Sequence, residues 1–95
     1  FDLPVATKAD RKRYSQFRKQ LLKRGFSMLQ FSVYARYCSS EESAGAIRTD
    51  VRAVLPPKGQ VRLMAVTDHQ FGRMEVWYGR KRTPAEEPAR QFMLF

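Results

Sequence analysis

The fold is decided by residues 8–38, which run KADRKRYSQFRKQLLKRGFSMLQFSVYARYC. The first half of this stretch predicts a helix, because its apolar side chains recur at the spacing of one helical face, at Tyr14, Phe17, Leu21 and Leu22. Gly25 is typical of the residue just beyond a helix end, so the helix should stop there. Residues 26–38 are rich in aromatic and β-branched types and predict one long strand.

The predicted strand has two unlike faces. One face is apolar and should belong to the core: Leu29, Phe31, Val33, Ala35 and Tyr37. The other face is mixed in character: Met28, Gln30, Ser32, Tyr34 and Arg36. A mixed face suits a subunit interface, and an ordinary solvated sheet face is an equally good interpretation.

Further elements follow along the chain. A second helix should begin near Ser40, carry an apolar stripe, and end at residues 56–59, which are Pro-Pro-Lys-Gly. Residues 61–67 are almost all apolar and predict a central strand. A turn at residues 68–73 and a strand at residues 75–79 complete the pattern.

The order of these elements predicts an α+β fold. Strand, helix, strand, helix, strand and strand, with a hairpin at the end, fit a ferredoxin-like (split βαβ) sandwich. The first strand of that fold is central, and Phe1-Asp2-Leu3-Pro4 is too short for it, so we expect several apolar residues to precede Phe1. We therefore predict a ferredoxin-like domain at residues 1–82, a linker at 83–90 and a separate C-terminal strand at 91–95.

Length and composition limit the class of protein. The chain has 95 residues, 43% of them hydrophobic, which supports one folded domain rather than a disordered basic tail. We find no apolar run long enough to span a bilayer. A single cysteine, Cys38, excludes an internal disulfide, and it favours an intracellular, cytoplasmic protein.

Charge is concentrated in the first helix. The net charge is +9, and six of those nine charges lie in residues 1–25, mostly on the helix face opposite its apolar stripe. Such a face predicts binding to the phosphates of duplex DNA without reading bases, although a merely solvated face is the alternative. The candidate DNA-binding residues are Arg11, Lys12, Arg13, Arg18, Lys19, Arg80, Lys81 and Arg82.

Four features in this order resemble a known family. They are Phe1-Asp2-Leu3-Pro4, the basic helix with Tyr14 and Phe17, Gln30-Phe31-Ser32-Val33-Tyr34, and Thr67-Asp68-His69-Gln70-Phe71. Together they closely resemble the CRISPR-associated endonuclease family Cas2, in the form found in type II systems. The resemblance covers nearly the whole chain.

The resemblance implies a homodimer that serves CRISPR spacer acquisition, a step of antiviral defence. The dimer would hold a captured prespacer duplex between two integrase dimers as a scaffold. The C-terminal residues Gln91, Phe92, Met93, Leu94 and Phe95 would add a strand to the partner's sheet. A peptide that docks on a replication sliding clamp is an alternative interpretation of the same tail.

The resemblance also implies a metal-dependent nuclease. Some members cut RNA or DNA with a divalent metal such as Mg²⁺, held by an aspartate at the position of Asp2. Two copies of Asp2 facing one another in a dimer would share the ion, because one carboxylate alone supplies few ligands for it. The alternative is that Asp2 only caps the following turn.

The main rival function is a single-strand RNA-binding domain of the RRM kind. Residues 24–31, RGFSMLQF, partly match the stacking motif of that domain, but Met28 lacks the required ring. The motif also follows the first helix instead of forming the third strand. We expect structural roles for the remaining candidates. Asp68 and His69 should lie in a turn, and Cys38 should be an unreactive thiol. Phe71 and Trp77 should belong to the core.

Overall fold

A computed structural model describes residues 1–84, which combine helices with short antiparallel strands. The helices are α1 (Lys8–Lys23), α2 (Glu41–Arg52) and α3 (Asp68–Gly72). The strands are β1 (Ser27–Gln30), β2 (Val33–Ala35), β3 (Val76–Tyr78) and β4 (Lys81–Thr83). The predicted α+β class is confirmed at this level. The C-terminal strand at 91–95 and nearly all of the linker at 83–90 lie outside the described residues.

Local signals set the first helix, as predicted. The Thr7 hydroxyl accepts a hydrogen bond from the Asp10 backbone amide (3.0 Å), and the Asp10 carboxylate accepts one from the Thr7 amide (3.3 Å). This reciprocal capping box satisfies two amides that a helix start leaves unpaired. Helix α1 ends before Gly25, whose φ of +87° is the left-handed conformation that glycine adopts without strain.

The long strand predicted at residues 26–38 is wrong, because the chain reverses in its middle. β1 and β2 form an antiparallel hairpin in which Met28 pairs with Tyr34 and Gln30 with Val33. The turn passes through Ser32, whose φ is +62°, and a bulge between Met28 and Gln30 shifts the register. A turn without glycine, proline or asparagine leaves no compositional signal, so the stretch looked continuous.

The reversal also changes which side chains face inward. Phe31 is 78% exposed at the turn, and Val33 and Tyr37 are exposed as well, although all three were predicted to be core residues. Tyr34 packs against the core instead. A bulge and a turn each break the two-residue alternation on which the prediction depended.

Helix α2 forms where the sequence predicts it. The Ser40 hydroxyl accepts a hydrogen bond from the Ser43 amide (3.1 Å), which caps the helix start. Its inward residues include Ala44 and Val51, and Val51 is fully buried.

The central strand predicted at residues 61–67 is wrong. This segment carries no strand or helix, and its apolar side chains Leu63, Met64 and Val66 are exposed. A strand needs a hydrogen-bonding neighbour, and among residues 1–84 the only pairing here is an isolated antiparallel bridge between Asp2 and Gln60. The two backbone hydrogen bonds of that bridge are both 2.8 Å.

The C-terminal part of the described chain also differs in detail. The turn predicted at 68–73 is helix α3, which Thr67 and Gln70 start with a second capping box. β3 forms within the strand predicted at 75–79, but its partner is β4 and not the 61–67 segment. The described strands therefore form two separate two-stranded sheets, and the predicted order of strand, helix, strand, helix, strand and strand is wrong.

A small core holds α1, α2 and the N-terminal segment together. Its buried members are Leu3, Phe17, Leu21 and Val51. The ring of Phe1 packs edge-on to Phe17 at 5.1 Å and stacks on Tyr34 at 5.7 Å between centroids. Burial of these apolar surfaces is the main stabilising contribution, and it fixes the opposite face of α1 toward solvent.

None of the described helices could span a membrane. Neither α1, α2 nor α3 has the length and apolar character that crossing a bilayer requires.

Candidate nucleic-acid interface

The outer surface of α1 is a cationic face. We define this face by its six exposed basic side chains, which are Lys8, Arg11, Lys12, Arg18, Lys19 and Lys23. The helix is anchored on its opposite side by Phe17 and Leu21, so these cations cannot turn inward without unpacking the core. Six like charges on one rigid element are arranged to meet a polyanion.

The one acid of α1 is withdrawn from this face. Asp10 is only 8% exposed, and its carboxylate also accepts a hydrogen bond from Arg13 Nη1 at 3.2 Å. Hydrogen bonding by Thr7 lowers the pKa of Asp10 most, and burial opposes it. The Thr7 backbone amide and the charges of Lys58 and Arg13 lower that pKa further. Asp10 therefore stays ionised at neutral pH while it is held away from any bound anion.

The predicted DNA-binding residues of α1 have different surroundings. Lys12, Arg18 and Lys19 are exposed, and none of them makes an ion pair within residues 1–84. Arg11 is exposed as well, but its Nη1 also donates to the Val5 and Ala6 carbonyls, at 3.2 Å each. Arg13 is half-buried and paired with Asp10, so it is the least available of the five.

Three further predicted contacts lie on the last hairpin. Arg80 occupies the turn between β3 and β4, and Lys81 and Arg82 lie in β4, all three exposed. Lys81 pairs with Tyr78 and Arg82 with Trp77 across the hairpin. Trp77 is 53% exposed, so the prediction that it belongs to the core is wrong. This hairpin combines cations with an accessible aromatic ring, which is a common composition for nucleic-acid contact.

Asp2 lies at the bridge to Gln60, with its side chain exposed. The chain passes close to Gly59 here, because a Cβ added at Gly59 would lie only 2.7 Å from the Asp2 carbonyl oxygen. Among residues 1–84 no group of three histidine, cysteine, aspartate or glutamate side chains lies close enough to hold a metal ion. Within the described residues of one protomer, Asp2 therefore belongs to no set of carboxylates that would make a complete Mg²⁺ site.

The other polar candidates take structural positions. His69 and Asp68 lie in the first turn of α3, both exposed. Cys38 is a free, half-buried thiol, and Phe71 is half-buried.

The sequence did not reveal a groove at the C-terminal end of α1. Lys23, Arg24, Gly25, Arg36 and Asp50 line it. The β1–β2 hairpin brings Arg36 back to α1. The prediction of one long strand at residues 26–38 did not allow this return. The only signal in the sequence was a basic residue at the end of an otherwise apolar stretch.

Comparison with known proteins gives a consistent result. A family model described as CRISPR associated protein Cas2 matches residues 1–74. Proteins named CRISPR-associated endoribonuclease Cas2 from Flavobacterium psychrophilum and Parvibaculum lavamentivorans are each 47% identical over 95 residues. These alignments cover 100% of this chain and 83% and 94% of the two relatives. A relative of the same name from Paracidovorax avenae is 45% identical over 95 residues, covering 88% of its length.

Proposed function

Because the chain belongs to the CRISPR-associated Cas2 family, we propose that it acts in CRISPR adaptation as a homodimeric scaffold that binds duplex DNA. The observation that carries the proposal is the cationic face of α1, from which the only acid of the helix is withdrawn. Phosphate contacts of this kind position a duplex without reading its sequence, which suits a protein that must hold many different spacers. The RRM alternative loses its support, because Met28 is an exposed thioether where that motif requires a ring.

The order of the described elements supports a finer topology. Helix, strand, strand and helix are the four inner elements of the β-α-β-β-α-β ferredoxin-like unit. The antiparallel bridge between Asp2 and Gln60 joins the chain before α1 to the chain after α2, which is where the first and last strands of that unit pair. Nuclear Overhauser contacts between Leu3 and its neighbours in 61–66 test this arrangement; their absence in the dimer would reject it.

A DNA titration tests the scaffold function. We expect replacement of Lys12 and Lys19 by glutamine to weaken binding to a fluorescein-labelled duplex. The slope of log affinity against log salt should fall by about two for each protomer that contacts the duplex. Fluorescence anisotropy at several salt concentrations measures both quantities. The matched control replaces Arg48 and Arg62 by glutamine, which removes the same charge from exposed sites outside the cationic face. Equal losses in the two double variants would mean that net charge alone drives binding.

Bridging of integrase dimers extends the same proposal to a protein partner. A rigid duplex clamp has this use only when a second protein joins the DNA ends, since the described residues contain no cluster suited to that reaction. Co-purification with the integrase subunit of the same CRISPR locus checks it. If the dimer binds DNA but never the integrase, the DNA-binding scaffold stands and the bridging of integrase dimers is rejected.

RNA cleavage is a second candidate function, which the names of the relatives support. The structure offers Asp2 for it, and a complete Mg²⁺ site would need a second carboxylate from the partner copy. Asp2→Asn preserves the bridge to Gln60, because that bridge uses backbone atoms only. We expect this variant to lose metal-dependent RNA cleavage by about 100-fold while it binds duplex DNA normally.

Asp68→Asn is the matched control for that measurement, since Asp68 is an exposed acid at a helix start. If Asp2→Asn still cleaves RNA, this aspartate caps the following turn and takes no part in cleavage.

A further inference from the structure

The hairpin of β3 and β4 presents a large aromatic side chain to solvent. Trp77 is the only tryptophan of the chain, and 53% of it is exposed. It is not among the residues that pack against the core, and among residues 1–84 no other aromatic ring stacks on it. The packing of residues 1–84 therefore does not account for an indole ring at this position.

The register of the hairpin places Trp77 on its outer face. Val76 pairs with Thr83, and both side chains are half-buried, so they mark the face that lies toward the protein. Successive side chains of a strand point to opposite faces, so Trp77 and its pairing partner Arg82 lie on the other face. The Cβ atoms of directly opposed residues are about 5 Å apart. The indole ring and the Arg82 guanidinium thus share one exposed surface.

The charge around this ring is of one sign. Arg80, Lys81 and Arg82 are consecutive and exposed, and none of them makes an ion pair among residues 1–84. No acidic residue lies between Val76 and Thr83. A ligand that is complementary to this surface must combine a flat apolar ring with negative charge.

A nucleic-acid strand has both properties, since each base has a π-face that stacks on aromatic side chains and each nucleotide carries a phosphate. In a duplex the faces of the bases are covered by their neighbours in the stack. The ring of Trp77 can therefore stack only on a base that is unpaired.

We propose that Trp77 is a stacking platform for an unpaired nucleotide base, with Arg82 as the cation that holds the adjoining phosphate. The inference rests on the proposed binding of nucleic acid and extends it from a duplex on α1 to a single strand on the β3–β4 hairpin. Stacking accepts any base, so this contact reads no sequence. DNA and RNA strands share this chemistry, and the test has an arm for each.

The fluorescence of the full-length protein reports on this surface alone, because Trp77 is its only tryptophan. We expect iodide to quench the emission of the free protein, as an exposed ring requires. Oligothymidylate and oligouridylate should quench that emission in a saturable manner, and a blunt DNA duplex of the same length should not. Quenching by one strand alone identifies the source as DNA or RNA, and equal affinities mean that the site accepts both.

Variants of the hairpin separate stacking from charge, with fluorescence anisotropy of the labelled single strand as the measurement. Trp77→Leu should weaken binding by roughly tenfold, whereas Trp77→Phe keeps a ring and should lose roughly threefold or less. Arg82→Gln should weaken binding by roughly threefold. Tyr37→Leu is the matched control, because Tyr37 is a partly exposed ring outside the hairpin. Melting temperatures of the variants check that each one is folded.

The inference is overturned if iodide does not quench the free protein, because a second copy of the chain then covers the ring. It is also overturned if neither strand quenches the emission, if the blunt duplex quenches it equally, or if Trp77→Leu binds the strand as well as Tyr37→Leu does. Equal quenching by oligoglutamate would assign the surface to an acidic peptide instead. If the inference fails while Lys12→Gln with Lys19→Gln still weakens duplex binding, the scaffold function stands. If the unmodified protein binds neither duplex nor single strand, both fail.

Discussion

Asp10 stabilises the start of α1 and, because it is buried there, adds no negative charge to the cationic face. Asp10 forms a reciprocal capping box with Thr7, three residues earlier. The same contacts bury the Asp10 carboxylate and pair it with Arg13. The cap therefore keeps one negative charge off the cationic face and leaves Arg13 only partly exposed. Sequence counting gave Lys12 and Arg13 equal weight as DNA contacts. Burial separates them, because only a folded helix shows that Arg13 turns toward Asp10.

The lowered pKa of Asp10 predicts how stability depends on pH. A carboxyl whose pKa is depressed in the folded state stabilises the protein fully above its ordinary value of 3.8, and that contribution is lost as pH falls through the folded-state pKa. We therefore expect Asp10→Asn to melt below the unmodified protein at pH 7. The gap should narrow steadily as the pH falls below about 4.

Thermal melts of both proteins between pH 7 and pH 2 measure this gap. Asp68→Asn serves as the comparison, because Asp68 is an exposed acid near the start of another helix. A constant gap for Asp10→Asn across the whole range would show that the carboxylate charge contributes nothing to the cap.

The elements differ in how far sequence alone determines them. Helices α1 and α2 were predicted correctly because their caps, apolar stripes and stop signals are local in the chain. The β1–β2 turn was not, because it contains no glycine, proline or asparagine. The state of residues 61–67 was not, because it depends on pairing with a distant part of the chain. The groove was missed together with the β1–β2 turn, since it requires the hairpin to carry Arg36 back to Arg24.

Ser40 gives a quantitative test of the local signals in α2. Its hydroxyl accepts from the Ser43 amide, so Ser40→Ala leaves that amide without its partner. We expect the free energy of unfolding to fall by about 1 kcal/mol in urea denaturation. Ser39→Ala is the control, because Ser39 only contacts the Ser43 hydroxyl at 3.4 Å. Comparable losses in both variants would place the stabilisation in the serine cluster and not in the cap.

Over the whole molecule, the described residues leave much apolar surface uncovered. Met64 is 86% exposed, Phe31 78% and Tyr78 70%. A second copy of the chain, as the proposed scaffold requires, would cover part of this surface. We expect light scattering coupled to size exclusion to give twice the 11.1 kDa mass of the chain.

Met64→Asp should raise the dimer dissociation constant by roughly tenfold or more, because it places a charge in a surface that must lose water. Arg48→Asp is the control at an exposed site of α2. A monomer at every concentration of the unmodified protein would contradict the dimer itself, and an unchanged dimer in Met64→Asp would place the interface elsewhere.

The bridge between Asp2 and Gln60 also sets an order of events in folding. It joins positions separated by most of the described chain, and the loop that it closes contains α1, the β1–β2 hairpin and α2. Closing a long loop costs chain entropy, about 0.6 kcal/mol more for each doubling of its length, and two hydrogen bonds alone do not offset that cost. The helices must therefore dock before the bridge can persist. In the native state the buried side chain of Leu3 holds the backbone next to Asp2 against the docked helices, so the bridge lasts only as long as that core does.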